Sequence, residues 1–213
     1  MLTLYYCPGA CSTASHVAAE ETGTPYEARL VALAKGEQRS ESYLTINPRG
    51  RVPALRLDNG SVITENTAIL TYLARRFAAK NLLPTDLAEE ARCIATMAWF
   101  SNTVHPSFTH ISRPERFADD TNAHPALKET GRKNFWANLQ EIDRLLVGRP
   151  WLQGSHFTVC DSYALVFYGW GNRIQLPVKE LTNYTAWKDR MIERPAVRRV
   201  LEREDSALLK GAP

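Results

Sequence analysis

The chain has 213 residues, of which 44% are hydrophobic and 23% are charged, with 26 basic and 23 acidic side chains. This is the composition of a globular protein with a buried core, in one large domain or two small ones. A net charge of +3 with no basic block argues against a nucleic-acid partner. The apolar runs are shorter than the roughly 20 residues of a membrane helix, and the N-terminus lacks signal-peptide features. We therefore expect a cytoplasmic protein without a membrane partner.

The first predicted unit is a strand, a tight turn and a helix. Residues 2–6 are apolar and aromatic, residues 8–9 are a Pro-Gly turn, and residues 12–21 predict a helix. Cys11 then lies at the helix N-terminus, where unpaired N–H groups and the helix dipole favour an anion. A thiol there can have its pKa lowered from about 8.5 toward or below neutrality. Cys11 is therefore the candidate functional sulfur.

Three further strands and a helix complete the first predicted domain. A strand over residues 26–31 follows the first helix, which implies a right-handed crossover and parallel pairing. Residues 54–57 and 61–64 flank an Asp-Asn-Gly turn and predict an antiparallel hairpin. A Thr-Glu-Asn-Thr segment then caps a helix with an apolar face. The residues of that face are Ala68, Ile69, Tyr72, Leu73 and Phe77. The βαβ-ββα order predicts one sheet with helices on both faces within residues 1–79.

The rest of the chain has helical periodicity. A polar, proline-containing linker over residues 79–87 leads to an all-helical domain at residues 88–213. One helix begins with a variant capping box formed by Thr158 and Asp161. The helices are predicted over residues 88–104, 125–146, 159 to about 170, 180–192 and 196–208.

Four cysteines are too few for a disulfide scaffold in a chain of this length. Cys93 and Cys160 lie in apolar helical segments and are interpreted as inert core residues. Cys7 and Cys11 form a C-x₃-C pair, which is neither a thioredoxin-like dithiol nor a zinc motif. Cys7 is interpreted as a half-buried residue at a strand end; the alternative is a resolving thiol that pairs with Cys11. No metal site is expected.

Three segments carry a family resemblance. They are Tyr-x-Pro-Gly-Ala-Cys-Ser at residues 6–12, Asn-Pro-Arg-Gly-x-Val-Pro-Ala-Leu at 47–55 and Thr-Glu-Asn-x-Ala-Ile-x-x-Tyr-Leu at 64–73. With the helical half, they resemble the cytosolic glutathione transferases, and Pro-Gly-Ala-Cys-Ser is similar to the bacterial beta class. The resemblance covers essentially the whole chain. It implies a thioredoxin-like glutathione-binding domain, an all-helical domain with an electrophile site, glutathione as co-substrate, and a homodimer.

The resemblance also implies residue roles around the glutathione sulfur. Cys11 matches the cysteine beside that sulfur, and Ser12 could donate a hydrogen bond to a thiolate. Val52 would pair through its backbone with the cysteinyl part of glutathione, next to a cis Pro53.

The ends of glutathione are assigned in the same way. Glu65 and Asn66 match the pair that holds the γ-glutamyl group, with helix N–H groups available for its carboxylate. Lys35 matches a basic residue that reaches the glycyl carboxylate, and Arg51 is a neighbouring candidate. Tyr6 belongs to the same predicted glutathione-binding set.

The helical domain is expected to supply the other side of the site. His105 matches a beta-class histidine with a catalytic role, and Phe108 and Trp170 are the candidates for the electrophile pocket. The beta class often has Lys after this histidine, whereas here Pro106 replaces it and is expected to break or kink the helix.

The leading hypothesis is a transferase that conjugates the glutathione thiolate to small apolar electrophiles, as in detoxification. A Cys11 thiolate would repel that of glutathione, so Ser12, the Cys11 N–H and His105 are the expected stabilisers. This difficulty motivates an alternative, a thiol-disulfide oxidoreductase with Cys11 as nucleophile. The loss of the lysine at Pro106 keeps open a third hypothesis, a non-catalytic module that binds glutathione or another ligand.

Overall fold

The computed structural model describes residues 1–210. Its first part holds a 4-stranded sheet in the order β2-β1-β3-β4. β1 pairs parallel to β2 and antiparallel to β3, and β3 and β4 pair antiparallel. The predicted crossover and hairpin are thereby confirmed. The strands are β1 (Leu2–Tyr6), β2 (Tyr26–Leu30), β3 (Ala54–Arg56) and β4 (Val62–Thr64).

Helices flank the sheet and make up most of the later chain, which confirms the predicted fold class of an α/β thioredoxin-like part followed by an all-helical part. Within residues 1–210, no helix combines the length and apolar character needed to cross a membrane. The division into domains at residues 1–79 and 88–213 stays a prediction, and residues 211–213 lie outside the described part. The helices are α1 (Ser12–Glu21), α2 (Glu41–Leu44), α3 (Asn66–Arg76), α4 (Leu87–Trp99), α5 (His105–Ser112), α6 (His124–Leu145), α7 (Val159–Arg173), α8 (Thr182–Glu193) and α9 (Pro195–Arg203).

Helix α1 is the central element of the core. Every residue from 12 to 19 is buried, because α1 packs on β1 and α3 within the first part and on α7 and α9 of the helical part. The turn before it contains Gly9 at φ +64°, a left-handed conformation that favours glycine. The start of α1 therefore lies where the two parts of the chain meet.

The buried face of α3 differs from the predicted one. Ala68 is exposed and Tyr72 is only half-buried. The buried positions keep helical spacing and begin at the first residue of the helix. The buried face is therefore displaced by one residue along the helix from the predicted face. They are Asn66, Ile69, Leu70, Leu73 and Ala74.

The chain stays helical through Pro106. Helix α4 continues through a π-helical turn, Phe100–Val104, into α5. Pro106 has no N–H to donate to the preceding turn, and the π-helical turn just before α5 accommodates the missing hydrogen bond. The expected break is thus a π-helical turn just before His105, a feature frequent at functional sites.

Helix α7 begins with the predicted capping box. Thr158 and Asp161 make both of its hydrogen bonds. Asp161 also accepts hydrogen bonds from the Leu152 N–H at 3.0 Å and the Trp187 indole N–H at 2.9 Å. These hydrogen bonds fix the start of α7, the helix that contains Trp170.

Candidate functional site

The turn between β1 and α1 is held by Ser12. Its hydroxyl accepts a hydrogen bond from the Cys7 N–H at 3.0 Å and donates one to the Cys7 carbonyl oxygen at 3.1 Å. The side chain is fully buried, and its single proton is used inside the turn. The predicted donation from Ser12 to a thiolate is therefore not supported. Ser12 instead shapes the turn that presents Cys11.

The Cys11 thiol faces the loop before β3, where it donates to the Val52 carbonyl oxygen at 3.4 Å. Burial, followed by the charge of Glu65, raises the pKa of Cys11 to about 12, although the backbone N–H groups of Cys11 and Ser12 act in the opposite direction. The expectation of a lowered pKa is wrong, because the helix N-terminus acts as expected but desolvation outweighs it. Cys11 is a neutral thiol at pH 7.

The loop that faces Cys11 contains the predicted cis peptide bond between Val52 and Pro53. The Tyr43 hydroxyl and the Asn47 side-chain amide both donate to the Arg51 carbonyl oxygen, at 2.8 and 2.7 Å. These two bonds fix the backbone just before Val52. The structure therefore brings Val52 and Pro53 to the start of α1.

The N-terminus of α3 lies beside the same turn. Glu65 is exposed and has φ 72° and ψ 130°, a sparsely populated conformation for a non-glycine residue that tends to occur at functional sites. The Asn66 amide accepts from the Ser15 hydroxyl at 2.6 Å and donates to the Cys11 carbonyl oxygen at 2.9 Å. Asn66 is thus a bridge from α3 to α1. The predicted role of Asn66 in holding the γ-glutamyl group stays a prediction.

The other two predicted glutathione contacts, Tyr6 and Lys35, lie on β1 and in a 3₁₀ turn. Tyr6 packs against His16 of α1 with ring centroids 4.4 Å apart, on the other face of the sheet from Tyr5, because successive residues of a strand point to opposite faces. It is Tyr5 that packs in the cluster containing Val52. Lys35 is exposed in a 3₁₀ turn, Leu33–Lys35, so its assignment stays a prediction.

The helical part contributes an aromatic cluster. The His105 ring meets Trp170 edge-on with centroids 4.9 Å apart, and Phe108 stacks on Trp170 at 4.2 Å. The Trp170 indole N–H donates to the Gly9 carbonyl oxygen at 3.0 Å. The cluster therefore contacts the turn that presents Cys11, and Phe108 and Trp170 lie together as predicted for one pocket.

Sequence reasoning missed Tyr163. Its hydroxyl lies 3.4 Å from His105 Nδ1. Burial raises the pKa of Tyr163, and the Cys11 sulfur would raise it further if ionised, whereas Asn66 acts in the opposite direction. Tyr163 thus lies near His105, Cys11 and Asn66. Its spacing from Trp170, seven residues along α7, was the available signal, since both positions share one helix face.

Arg116 was missed as well. Burial, followed by the charges of Arg116 and Arg51, lowers the pKa of His105 to about 4. Desolvation and then the Arg51 charge lower the pKa of Arg116 itself. The two arginines therefore create a positive field at this end of the site, although this chain has Pro106 where the beta class often has a lysine. An isolated arginine in a 3₁₀ turn, Pro114–Arg116, carries no sequence signal for this role.

Glu204, just after α9, holds the Cys11-presenting turn from the opposite side. Its Oε2 accepts from the Gly9 N–H at 3.0 Å and from the Thr13 hydroxyl at 2.6 Å. Its Oε1 lies 2.7 Å from His16 Nδ1, while the Arg203 guanidinium donates to His16 Nε2 at 2.9 Å. Because arginine can only donate, His16 carries its proton on Nδ1 and donates it to Glu204.

A cleft of about 550 Å³ opens beside the same turn. Its walls are the turn, one face of α7 and the segment from Glu204 to Lys210. Trp170 lines this cleft and Phe108 does not. The cleft therefore shares one residue with the predicted electrophile pocket.

Comparison with known proteins agrees with this geometry. A family model described as "Glutathione S-transferase, N-terminal domain" matches residues 8–76. Glutathione S-transferase GstA of Escherichia coli is 32% identical over 205 residues, which cover 95% of this chain and 98% of that protein. The beta class glutathione S-transferase of Sphingomonas chungbukensis superposes with a TM-score of 0.84 at 33% identity, over 97% of this chain and 100% of that chain.

A second solved structure contains the expected co-substrate. It is a glutathione transferase homolog from Sulfitobacter with bound glutathione, with a TM-score of 0.91 at 30% identity. The matched region covers 95% of this chain and 98% of that one. Similarity over nearly the full length shows that the chain belongs to the glutathione S-transferase superfamily, as an enzyme that resembles the bacterial beta class.

Proposed function

We propose that this enzyme conjugates the glutathione thiolate to small apolar electrophiles, with Cys11 acting as a neutral hydrogen-bond donor. The observation that carries the proposal is the position of the Cys11 thiol at the start of α1, where it donates to the Val52 carbonyl oxygen at 3.4 Å and burial raises its pKa to about 12. A neutral thiol beside a bound thiolate avoids the repulsion that a Cys11 thiolate would cause. Its proton, donated to the Val52 carbonyl oxygen at 3.4 Å in the free protein, would turn to the bound thiolate and add a donor to those that stabilise it.

The residues around Cys11 fit glutathione by their chemistry. The exposed Glu65 carboxylate suits the γ-glutamyl ammonium, and the first N–H groups of α3 suit the adjacent carboxylate. The Val52 backbone suits the cysteinyl amide. Arg51 and Lys35 are the candidates for the glycyl carboxylate.

The thiolate would be stabilised from the start of α1 and attack an electrophile held by the helical part. The Cys11 and Ser12 N–H groups, the positive end of the helix dipole and the Cys11 S–H all favour negative charge there. The thiol proton leaves to solvent, and a carbon–sulfur bond then forms as the leaving group departs. His105, neutral at pH 7 with its pKa of about 4, would face the electrophile together with Phe108 and Trp170.

Substitution of Cys11 tests this account. We expect Cys11→Ser, which retains a donor, to conjugate an aryl chloride at a rate within about threefold of the parent. Cys11→Ala should raise the apparent pKa of bound glutathione by about one unit, because the loss of one donor costs about 1–2 kcal/mol. The thiolate absorbance of the glutathione complex, followed against pH, measures that pKa. An unchanged pKa in Cys11→Ala would contradict the donor role.

The thiol-disulfide alternative needs Cys11 as a nucleophile, and the raised pKa opposes this. A disulfide-exchange assay on the same variants separates the two activities. Disulfide reduction that is fast in the parent and lost in Cys11→Ser, while conjugation remains, would assign Cys11 to exchange. Membership of the transferase family argues against the non-catalytic alternative.

Two further points rest on the family resemblance. We propose that the protein is a homodimer and acts in the cytoplasm, in detoxification. The four cysteines are free thiols, which suits a reducing compartment. Light scattering coupled to size exclusion would give the oligomeric state, and a mass near 24.0 kDa, that of one chain, would contradict the dimer.

A further inference from the structure

The helical part contains a pair of cysteines that the transferase site does not use. The Sγ atoms of Cys93 on α4 and Cys160 on α7 are 3.0 Å apart. Cys160 Sγ is also 3.2 Å from the Cys93 carbonyl oxygen. Both side chains are fully buried, and 67 residues separate them along the chain. The interpretation of each as an inert core residue therefore overlooks their contact.

We infer that Cys93 and Cys160 are a peroxide-oxidisable dithiol, which forms an intramolecular disulfide that joins α4 to α7. A disulfide bond is about 2.05 Å long, so the two sulfurs need to approach by only about 1 Å. The two helices already pack against each other, which limits the backbone movement that bond formation requires.

The oxidant consistent with this burial is a small hydroperoxide. One thiol, after losing its proton, attacks a peroxide oxygen to give a sulfenic acid and, with hydrogen peroxide, one water. The second thiol then displaces the hydroxyl of the sulfenic acid, which gives the disulfide and a second water. Two electrons and two protons pass from the thiols to the peroxide, so the balance needs no other reagent. Glutathione disulfide is too bulky to reach fully buried sulfurs without wider unfolding.

Burial also determines how readily the pair reacts. Desolvation and the neighbouring Cys93 raise the pKa of Cys160, so the thiolate is scarce and oxidation requires a local opening of the helix contact. The pair therefore stays reduced at low peroxide concentration. It is oxidised only on sustained exposure.

The C-x₃-C motif is the competing pair, but its sulfurs make other contacts. Cys7 packs in the small cluster that contains Tyr5 and Val52, whereas the Cys93 and Cys160 sulfurs are in direct contact. The Cys11 thiol also points at the Val52 carbonyl oxygen. The disulfide is therefore expected in the helical part and not in the C-x₃-C motif, whose pairing is only the alternative interpretation of the sequence.

The bond would affect the elements that carry the aromatic cluster. Helix α4 leads through the π-helical turn to His105, and α7 carries Tyr163 and Trp170 beyond Cys160. A covalent link between the middle of α4 and the start of α7 fixes the spacing of these two helices. The inference concerns the core dithiol alone and does not depend on the proposed role of Cys11.

Peptide mapping of the intact protein tests the inference. The protein is incubated with hydrogen peroxide, alkylated under denaturing conditions and digested without reductant. We expect a peptide pair that joins Cys93 to Cys160, a mass loss of about 2 Da for the two hydrogens removed, and loss of two of the four free thiols. The thermal midpoint should rise by about 4–10 °C and return to its starting value after reduction with dithiothreitol.

A variant that leaves the core unchanged provides the control. The double substitution Cys7→Ser with Cys11→Ser should still form the cross-link, because both core sulfurs remain. Cys160→Ala should abolish the cross-link. If that variant folds poorly, the peptide map of the wild-type protein still tests the inference. A Cys7–Cys11 peptide pair, or sulfinic acid on single cysteines without the core cross-link, would overturn the inference.

Discussion

The Asn66 amide donates to the Cys11 carbonyl oxygen at 2.9 Å, and this bond ties the start of α3 to the start of α1. A second bond, from the Ser15 hydroxyl to Asn66 Oδ1 at 2.6 Å, fixes the amide in that orientation. The two helix N-termini that offer anion-binding N–H groups are therefore held in a fixed relative position. One would hold the γ-glutamyl carboxylate of glutathione and the other its thiolate.

Asn66→Ala should weaken both stability and glutathione binding. It removes two buried hydrogen bonds and leaves the Ser15 hydroxyl and the Cys11 carbonyl without these partners, which we expect to cost about 2–4 kcal/mol of unfolding free energy. Loss of the fixed spacing should raise KM for glutathione by about tenfold. Urea denaturation and steady-state kinetics measure the two effects. Exposed Asn102→Ala is the matched control, and an Asn66→Ala protein as stable as that control would contradict the bridging role.

His105 should give the protein a specific sensitivity to acid. Its folded-state pKa of about 4 lies below the ordinary 6.5, so the unfolded chain binds the proton more readily. The stability is therefore complete above pH 6.5 and falls as the pH drops toward 4, by up to about 3 kcal/mol. We expect His105→Gln to flatten this part of the stability profile, measured by denaturant titration at several pH values. Exposed His156→Gln should keep the parent profile; an unchanged profile in His105→Gln would contradict the burial argument.

The sequence predicts those features of the fold that depend on local patterns. The strands, α1 and the capping box of α7 follow from periodicity, turn residues and side chains a few positions apart. The cis bond before Pro53 and the position of Cys11 at a helix start were also predicted correctly. Each of these depends on residues that are close along the chain.

Sequence reasoning missed contacts that the chain makes only once it is folded. Ser12 was expected to donate to a thiolate, but its proton goes to the Cys7 carbonyl oxygen, and the bridge that Asn66 makes from α3 to α1 was not foreseen. The pKa of Cys11 rises because of burial and the charge of Glu65, and neither can be derived from the residues near the cysteine in the sequence. The Cys93–Cys160 contact depends on the packing of two helices and has no signature in spacing.

Arg116 should support glutathione binding by charge. Together with Arg51 it lies close enough to lower the pKa of His105, so its field reaches the site where an anionic ligand is expected. We expect Arg116→Gln to raise KM for glutathione by about three- to tenfold at low salt, with a smaller effect at high salt, because screening weakens surface charges. The pKa of His105, followed by NMR, should rise in the same variant. The exposed Arg198→Gln is the control, and an effect on KM that is independent of salt would contradict an electrostatic role.

Glu204 should determine how firmly the Cys11-presenting turn is held. In Glu204→Ala, the Gly9 N–H, the Thr13 hydroxyl and His16 lose their shared acceptor. Buried donors without partners are expected to cost about 3–5 kcal/mol in sum.

Glu204→Gln keeps the shape and one acceptor oxygen, so it should lose less stability. It should still lower kcat/KM for conjugation, because the Gly9 turn positions both Trp170 and Cys11. Thermal denaturation and conjugation kinetics measure these effects against the exposed neighbour Glu202→Ala. If Glu204→Gln matched the parent in both assays, the turn would be held by its local hydrogen bonds alone, without help from the end of α9.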